Sequence, residues 1–229
     1  MPAQNLEPRV PDGCETTDGE IDLGGAQRIG VVSDTHVPHR LRRLPAVVLD
    51  AVRGVDVILH AGDVEDDSVL RALSEIAPVY AVRGNLHWQF TSGVHDQALP
   101  AALRLRWGSE RIWMTHGHQN FGFSVVDKAT SLFDGDEPQR VNDRIIGRLH
   151  RARPDGTTMV VFGHSHRSVL RELDGVLYFN PGGVAVRFKK GEENEGPRVA
   201  ILTRNDAGRP IPEWISLLDL LAQSGVHGG

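Results

Sequence analysis

A single cysteine, Cys14, leaves this chain unable to close a disulfide within itself, so no disulfide framework carries its fold. No apolar run is long enough to span a bilayer, and the amino terminus lacks the pattern of a secretory signal. An excess of positive charge is missing too: 25 Lys and Arg stand against 30 Asp and Glu, for a net charge of −5. An acidic chain without a basic, aromatic-laced groove has no general grip on large nucleic acids or an anionic membrane. Internal repeats are absent. The expectation is a soluble, cytoplasmic protein that acts on something small.

What is present is enough for one domain. A length of 229 residues, 40% of them hydrophobic, can bury a sizeable core. Residues 1–27 are rich in Pro, Gly, Asp, Glu and Thr and show little apolar periodicity, which reads as a poorly ordered or loosely packed arm. A single domain over 28–229 follows. It opens with Arg28-Ile29-Gly30-Val31-Val32-Ser33, and similar strand-length apolar runs recur at Val55–His60, Val79–Val82, Arg111–Thr115 and Met159–Phe162. Helical spacing separates the first three runs, over Leu44–Val52 and over Asp67–Ile76 with Asp66 or Asp67 as N-cap.

The second half has another texture. Ala101–Trp107 turns through Gly108-Ser109-Glu110 into the strand at Arg111, as a hairpin does. Ser124–Phe133 and Gln139–Arg151 have helical spacing, parted by a breaker at 134–138. Strands are expected at Ser168–Leu173, Val176–Phe179 and Arg198–Thr203, with a charged loop at 191–196. Ile215–Gln223 fits a short helix or a strand equally. This is βαβαβ followed by an antiparallel-rich half, an α/β chain with layered sheets.

The chemistry lies at the ends of the runs. Ser33 leads into Asp34-Thr35-His36, His60-Ala61-Gly62 into Asp63, and Val82-Arg83-Gly84 into Asn85. Met114-Thr115 leads into His116-Gly117-His118, and Phe162-Gly163 into His164-Ser165-His166. Ligands gather at the carboxyl ends of strands in open α/β sheets, so neighbouring strands would bring these groups to one rim. Asp-x-His and His-x-His put both members of a pair on one face of an extended chain. Carboxylate, amide oxygen and imidazole together suit Mn, Fe, Zn or a similar divalent ion. Each motif alone has a plainer reading, as a turn, a helix N-cap or a hydrogen-bonded histidine. The ordered set does not.

With those motifs in hand, the chain resembles the calcineurin-like metallophosphoesterase superfamily, and within it the small bacterial and archaeal phosphodiesterase branch. The resemblance runs from Ile29 to about Gly183 and includes an Asn180-Pro181-Gly182 turn. It implies a four-layer αββα sandwich, two mixed β-sheets flanked by helices. It implies two divalent transition ions, Mn2+ favoured with Fe, Zn or Ni as alternatives, about 3–4 Å apart. Asp34, His36, Asp63 and His166 would hold one ion. Asp63, Asn85, His116 and His164 would hold the other, with Asp63 between them. Three departures stand out: Leu86-His87-Trp88 follows the Gly-Asn pair where many relatives carry His-Asp or His-Glu and the small branch often carries another residue followed by Asp, the 119–154 segment is long, and the arm is extra.

The resemblance implies hydrolysis of a phosphate ester, a phosphodiester favoured, and because no Ser, Cys or Asp nucleophile stands out the expected attacking group is a metal-bridging hydroxide. Asp63 and Asn85 join His87 and His118 as catalytic candidates, the two histidines as proton donors or phosphate grips. His60, inside a strand run, reads as a buried, hydrogen-bonded histidine. Arg83 is open to a phosphate contact or to an ion pair. The competing readings are a non-catalytic metal-binding scaffold of the same fold, a phosphomonoesterase, and a hydrolase of small nucleotides. A homo-oligomer is left open.

Overall fold

The computed structural model describes residues 16–17, 19–84, 99–117, 139–186 and 195–224. Within them the strand runs form two mixed sheets. The five-stranded sheet has β3 (Ile29–Val32), β4 (Val57–His60) and β5 (Val79–Ala81) in parallel. β11 (Arg198–Arg204) then pairs antiparallel to β3, and β12 (Pro210–Ser216) antiparallel to β11. The seven-stranded sheet runs in the order β1 (Thr16–Thr17), β2 (Glu20–Asp22), β6 (Ala102–Trp107), β7 (Glu110–Thr115), β8 (Met159–Val161), β10 (Val176–Asn180), β9 (Val169–Leu173).

Every residue of β3, β4 and β8 is buried, which is why these strands read as unbroken apolar runs. Alternate side chains serve different layers. Ile29, Val31, Val57 and Leu59 face the other sheet and meet Trp107, Ile112, Met114, Met159, Val161 and Phe179. Val32 and Ile58 face the opposite way, toward α1 (Ala46–Ala51), α2 (Asp67–Ser74) and α4 (Leu217–Gln223). On the far side of the seven-stranded sheet, Ile145, Ile146 and Leu149 of α3 (Arg140–Ala152) pack on Val160, Phe162, Val176 and Tyr178. The order of layers is helices, sheet, sheet, helix: the four-layer αββα sandwich.

Local signals act where they were read. Asp66 caps α2 by accepting a 2.8 Å hydrogen bond from the Ser68 N–H. The β6–β7 hairpin closes with Trp107 opposite Glu110. Two segments differ from expectation. Residues ahead of Arg28 join the packing: β2 pairs parallel to β6, Ile21, Leu23 and Ala26 are buried between the sheets, and the Trp107 indole donates to the Ala26 carbonyl at 2.7 Å. The apolar residues there are few but fall on one edge that β6 leaves open. In the tail, the strand and the helix both exist. β12 ends at Ser216, whose hydroxyl accepts from the Asp219 N–H at 3.3 Å and starts α4. The expected helix at 124–133 lies outside the described residues.

No helix among the described residues is long and apolar enough to cross a membrane.

Candidate metal centre

The loops that leave β3, β4, β7 and β8 meet at one end of the two sheets. Ladder-like bonds continue past the strand ends and lock the loops together. Asp34 N–H donates to the Gly62 carbonyl at 3.0 Å, His36 N–H to the Asp63 carbonyl at 3.0 Å, and Gly163 N–H to the His116 carbonyl at 3.2 Å. The chain must turn sharply there to aim side chains inward. Asp34, His36, Asp63, Glu65, His164 and His166 all have positive φ, between 47° and 72°. Left-handed backbone costs a non-glycine residue about 1–2 kcal/mol, and such strain gathers at functional sites.

Asp34, His36, Asp63, His116, His164 and His166 come together at this end of the sheets. Oδ2 of Asp63 stands 3.3 Å from Nε2 of His36 and 3.2 Å from Nε2 of His116. Oδ1 of Asp34 stands 3.2 Å from Nε2 of His166 and 3.9 Å from Nε2 of both His36 and His116. The His36 and His166 rings stack at 5.2 Å between centroids, and their Nε2 atoms are 3.4 Å apart. His164 stands edge-on to His116, with 5.3 Å between ring centroids, and its backbone N–H donates to Oδ2 of Asp34. Asn85, His87 and His118 lie outside the described residues, as does Leu86.

Each imidazole is held from behind. Nδ1 of His36 is 2.6 Å from Oε1 of Glu65, and Nδ1 of His116 is 2.7 Å from the Ala61 carbonyl. Both partners accept the Nδ1 proton, which directs the Nε2 lone pair into the cluster. Oδ2 of Asp34 takes the Ser33 hydroxyl at 2.7 Å. The His164-Ser165-His166 loop is tied down by Asn180, whose amide donates to the Gly163 carbonyl at 2.8 Å and to the Ser165 hydroxyl at 3.1 Å. This gives the Asn-Pro-Gly turn a physical reason: it fixes the histidine loop.

The charges of the cluster act strongly on one another. Burial alone would lower the pKa of His116. The charge and hydrogen bond of Asp63, the charge of Asp34 and the Ala61 carbonyl outweigh it and lift the value to about 9. His166 goes the other way, to about 4, through burial and the positive charge of His36 and Arg40, against the pull of Asp34. Although burial opposes it, the charges of His166, His116 and His36 hold the Asp34 carboxyl below its ordinary range. Oδ1 of Asp34 is buried and accepts no hydrogen bond among the described residues. Two overlapping donor groups follow, Asp34–His36–His166 and Asp34–Asp63–His116, the donor atoms of each within 4.8 Å of one another. Carboxylate and imidazole in that number fit divalent transition ions.

Sequence reasoning missed Glu65, His39 and Arg40. Glu65 accepts from His36 through one oxygen and lies 2.5 Å from Nδ1 of His39 through the other. Its spacing, two residues beyond Asp63, was the available signal. His60 is buried as expected, with Nε2 3.2 Å from the Thr35 hydroxyl and Nδ1 accepting from the Gly62 N–H. Arg83 lies two residues past β5, where its backbone N–H donates to the Pro100 carbonyl.

The chain belongs to the calcineurin-like phosphoesterase superfamily, whose domain model matches residues 28–206. It is 31% identical over 158 residues to a probable metallophosphoesterase of Methanothermobacter thermautotrophicus, covering 69% of this chain and 77% of that one. It is 23% identical over 165 residues to a phosphodiesterase of Methanocaldococcus jannaschii, covering 68% and 82%. Among solved structures, wild-type Vps29 complexed with Zn2+ from Entamoeba histolytica shares the fold at a TM-score of 0.53 and 21% identity. That likeness covers 83% of this chain and 99% of the other.

Proposed function

We propose that this chain hydrolyses phosphate esters, phosphodiesters favoured, with two divalent transition ions, Mn2+ favoured, held by Asp34, His36, Asp63, Asn85, His116, His164 and His166. The observation that carries the reading is Oδ1 of Asp34, buried, accepting no hydrogen bond among the described residues, and faced by the Nε2 atoms of His166, His36 and His116 at 3.2–3.9 Å. A carboxylate oxygen in that position is costly unless a cation completes it. The placing of Asp63 supports two ions, because one of its oxygens is nearly equidistant from His36 and His116, which belong to different ions in the scheme. When bound, such ions supply an acidified water and positive charge for the phosphoryl group.

The chain's own residues do the rest. Glu65 and the Ala61 carbonyl keep the protons of His36 and His116 on Nδ1, so that both rings present a lone pair. Asn85 would help orient the phosphoryl oxygens, and His87 and His118 are the proposed proton donors to the leaving alkoxide. The named phosphodiesterase among the relatives supports a diester. A small phosphorylated substrate and a reducing, cytoplasmic setting complete the reading.

The test is to strip the purified chain with chelator and assay bis-p-nitrophenyl phosphate and p-nitrophenyl phosphate in parallel, with and without Mn2+. Metal-dependent turnover of the diester is expected. Faster turnover of the monoester would move the substrate class. Two ions bound with no turnover of either would favour a metal-binding scaffold.

A further inference from the structure

The turn that follows His36 carries a cation to the mouth of the cluster. The Arg40 N–H closes back on the His36 carbonyl at 2.8 Å, and the exposed guanidinium reaches across to the other sheet's loop. Its Nη1 is 3.3 Å from Nε2 of His166 and donates to the Ala185 carbonyl at 3.2 Å. Nε2 of His166 is the atom that would hold an ion, at about 2.0–2.1 Å in sites of this kind. A permanent positive charge is thus anchored within a few ångströms of the cation position.

Two like charges at such a distance repel unless an anion lies between them. A phosphoryl group is such an anion, and the guanidinium fork, with five donors, matches its oxygens. The turn itself is braced rather than loose, because Glu65 spans His36 and His39. We infer that Arg40 is a substrate-binding residue: it grips a non-bridging oxygen of the phosphoryl group at the Asp34–His36–His166 corner of the site. This rests on the two-metal reading above. It assigns phosphate recognition to the His36–Leu41 turn.

The experiment uses the full chain loaded with Mn2+ and inorganic phosphate as probe. Metal content is measured by elemental mass spectrometry and phosphate affinity by titration calorimetry, for the wild type, Arg40→Gln and Arg40→Lys. Arg40→Gln should keep the wild-type Mn2+ content and weaken phosphate binding about ten- to a hundredfold, the loss of a charge-assisted hydrogen bond. Arg40→Lys should recover part of it. With the diester substrate, the same loss should raise KM. Equal phosphate affinity at equal Mn2+ content would overturn the role of Arg40 and leave the metal site standing, as would Mn2+ lost in Arg40→Gln, which would make the residue structural. A wild-type chain that binds no Mn2+ would overturn the metal reading, and this inference with it.

Discussion

A β-carbon on Gly84 would stand 1.8 Å from Oδ1 of Asp63 and 2.3 Å from the Asp63 backbone nitrogen. The two loops pass so closely that only a residue without a side chain lets the Asp63 carboxylate keep its place. Gly84→Ala should therefore displace Asp63. The overpacking cost is about 1–3 kcal/mol, or roughly 2–12 °C in melting temperature for a chain of this size. Thermal melts read the stability, and Mn2+ titration should show weaker binding in the same variant. Wild-type affinity in a folded Gly84→Ala chain would mean that Asp63 is not the shared ligand.

Asp63→Asn removes the charge but little volume. Because the wild-type carboxylate oxygen stands between His36 and His116, the variant should keep its fold and lose more than about a hundredfold in turnover. Near-ultraviolet circular dichroism checks the fold. Substantial turnover with an intact spectrum would contradict the bridging role.

Glu65 touches no ion in the proposed scheme, yet it sets the proton position on His36. Glu65→Gln should weaken metal binding by about ten- to a hundredfold, whereas His39→Ala, which leaves the Glu65–His36 contact, should change it far less. Competition with a chromogenic chelator measures both. Equal effects from the two variants would place the control in the turn as a whole.

His60 gives the pH dependence. Burial, partly opposed by Asp34, takes its pKa from 6.5 down to about 4. The unfolded chain therefore binds a proton that the folded chain refuses between those values. The contribution to stability is complete above pH 6.5 and is lost as the pH falls toward 4, by on the order of a few kcal/mol. In the chelated protein, urea melts of His60→Gln should show a flatter decline across that window than the wild type. Parallel curves would assign the acid lability elsewhere.

Asp34, His36, Asp63, His164 and His166 were legible as candidates because they follow β3, β4 and β8, where burial on both faces makes an unbroken run; His116 follows β7, whose burial alternates. β12 carries no such mark. It is an edge strand with Pro210 and Pro212, half exposed, and its strand character comes from pairing with β11 along its whole length. β2 was hidden for a related reason: three short residues acquire an address only from the open edge of β6. Arg40 and Glu65 were invisible as site residues because their partners, His166 and His36, are near only after folding. Nothing in the sequence announces that Asp34 or His164 has left-handed backbone either, since aspartate and histidine carry no glycine-like signature.

Asp34, His36 and Asp63 stand on loops of the five-stranded sheet, whereas His116, His164 and His166 stand on loops of the seven-stranded sheet. Cations held by this set would rivet one sheet to the other at the rim of their shared core. A fluctuation that slides the sheets apart would then have to discard the metal first. Ion release would be paced by the sheets' parting, and a loaded chain would persist kinetically against unfolding for as long as its rivets hold.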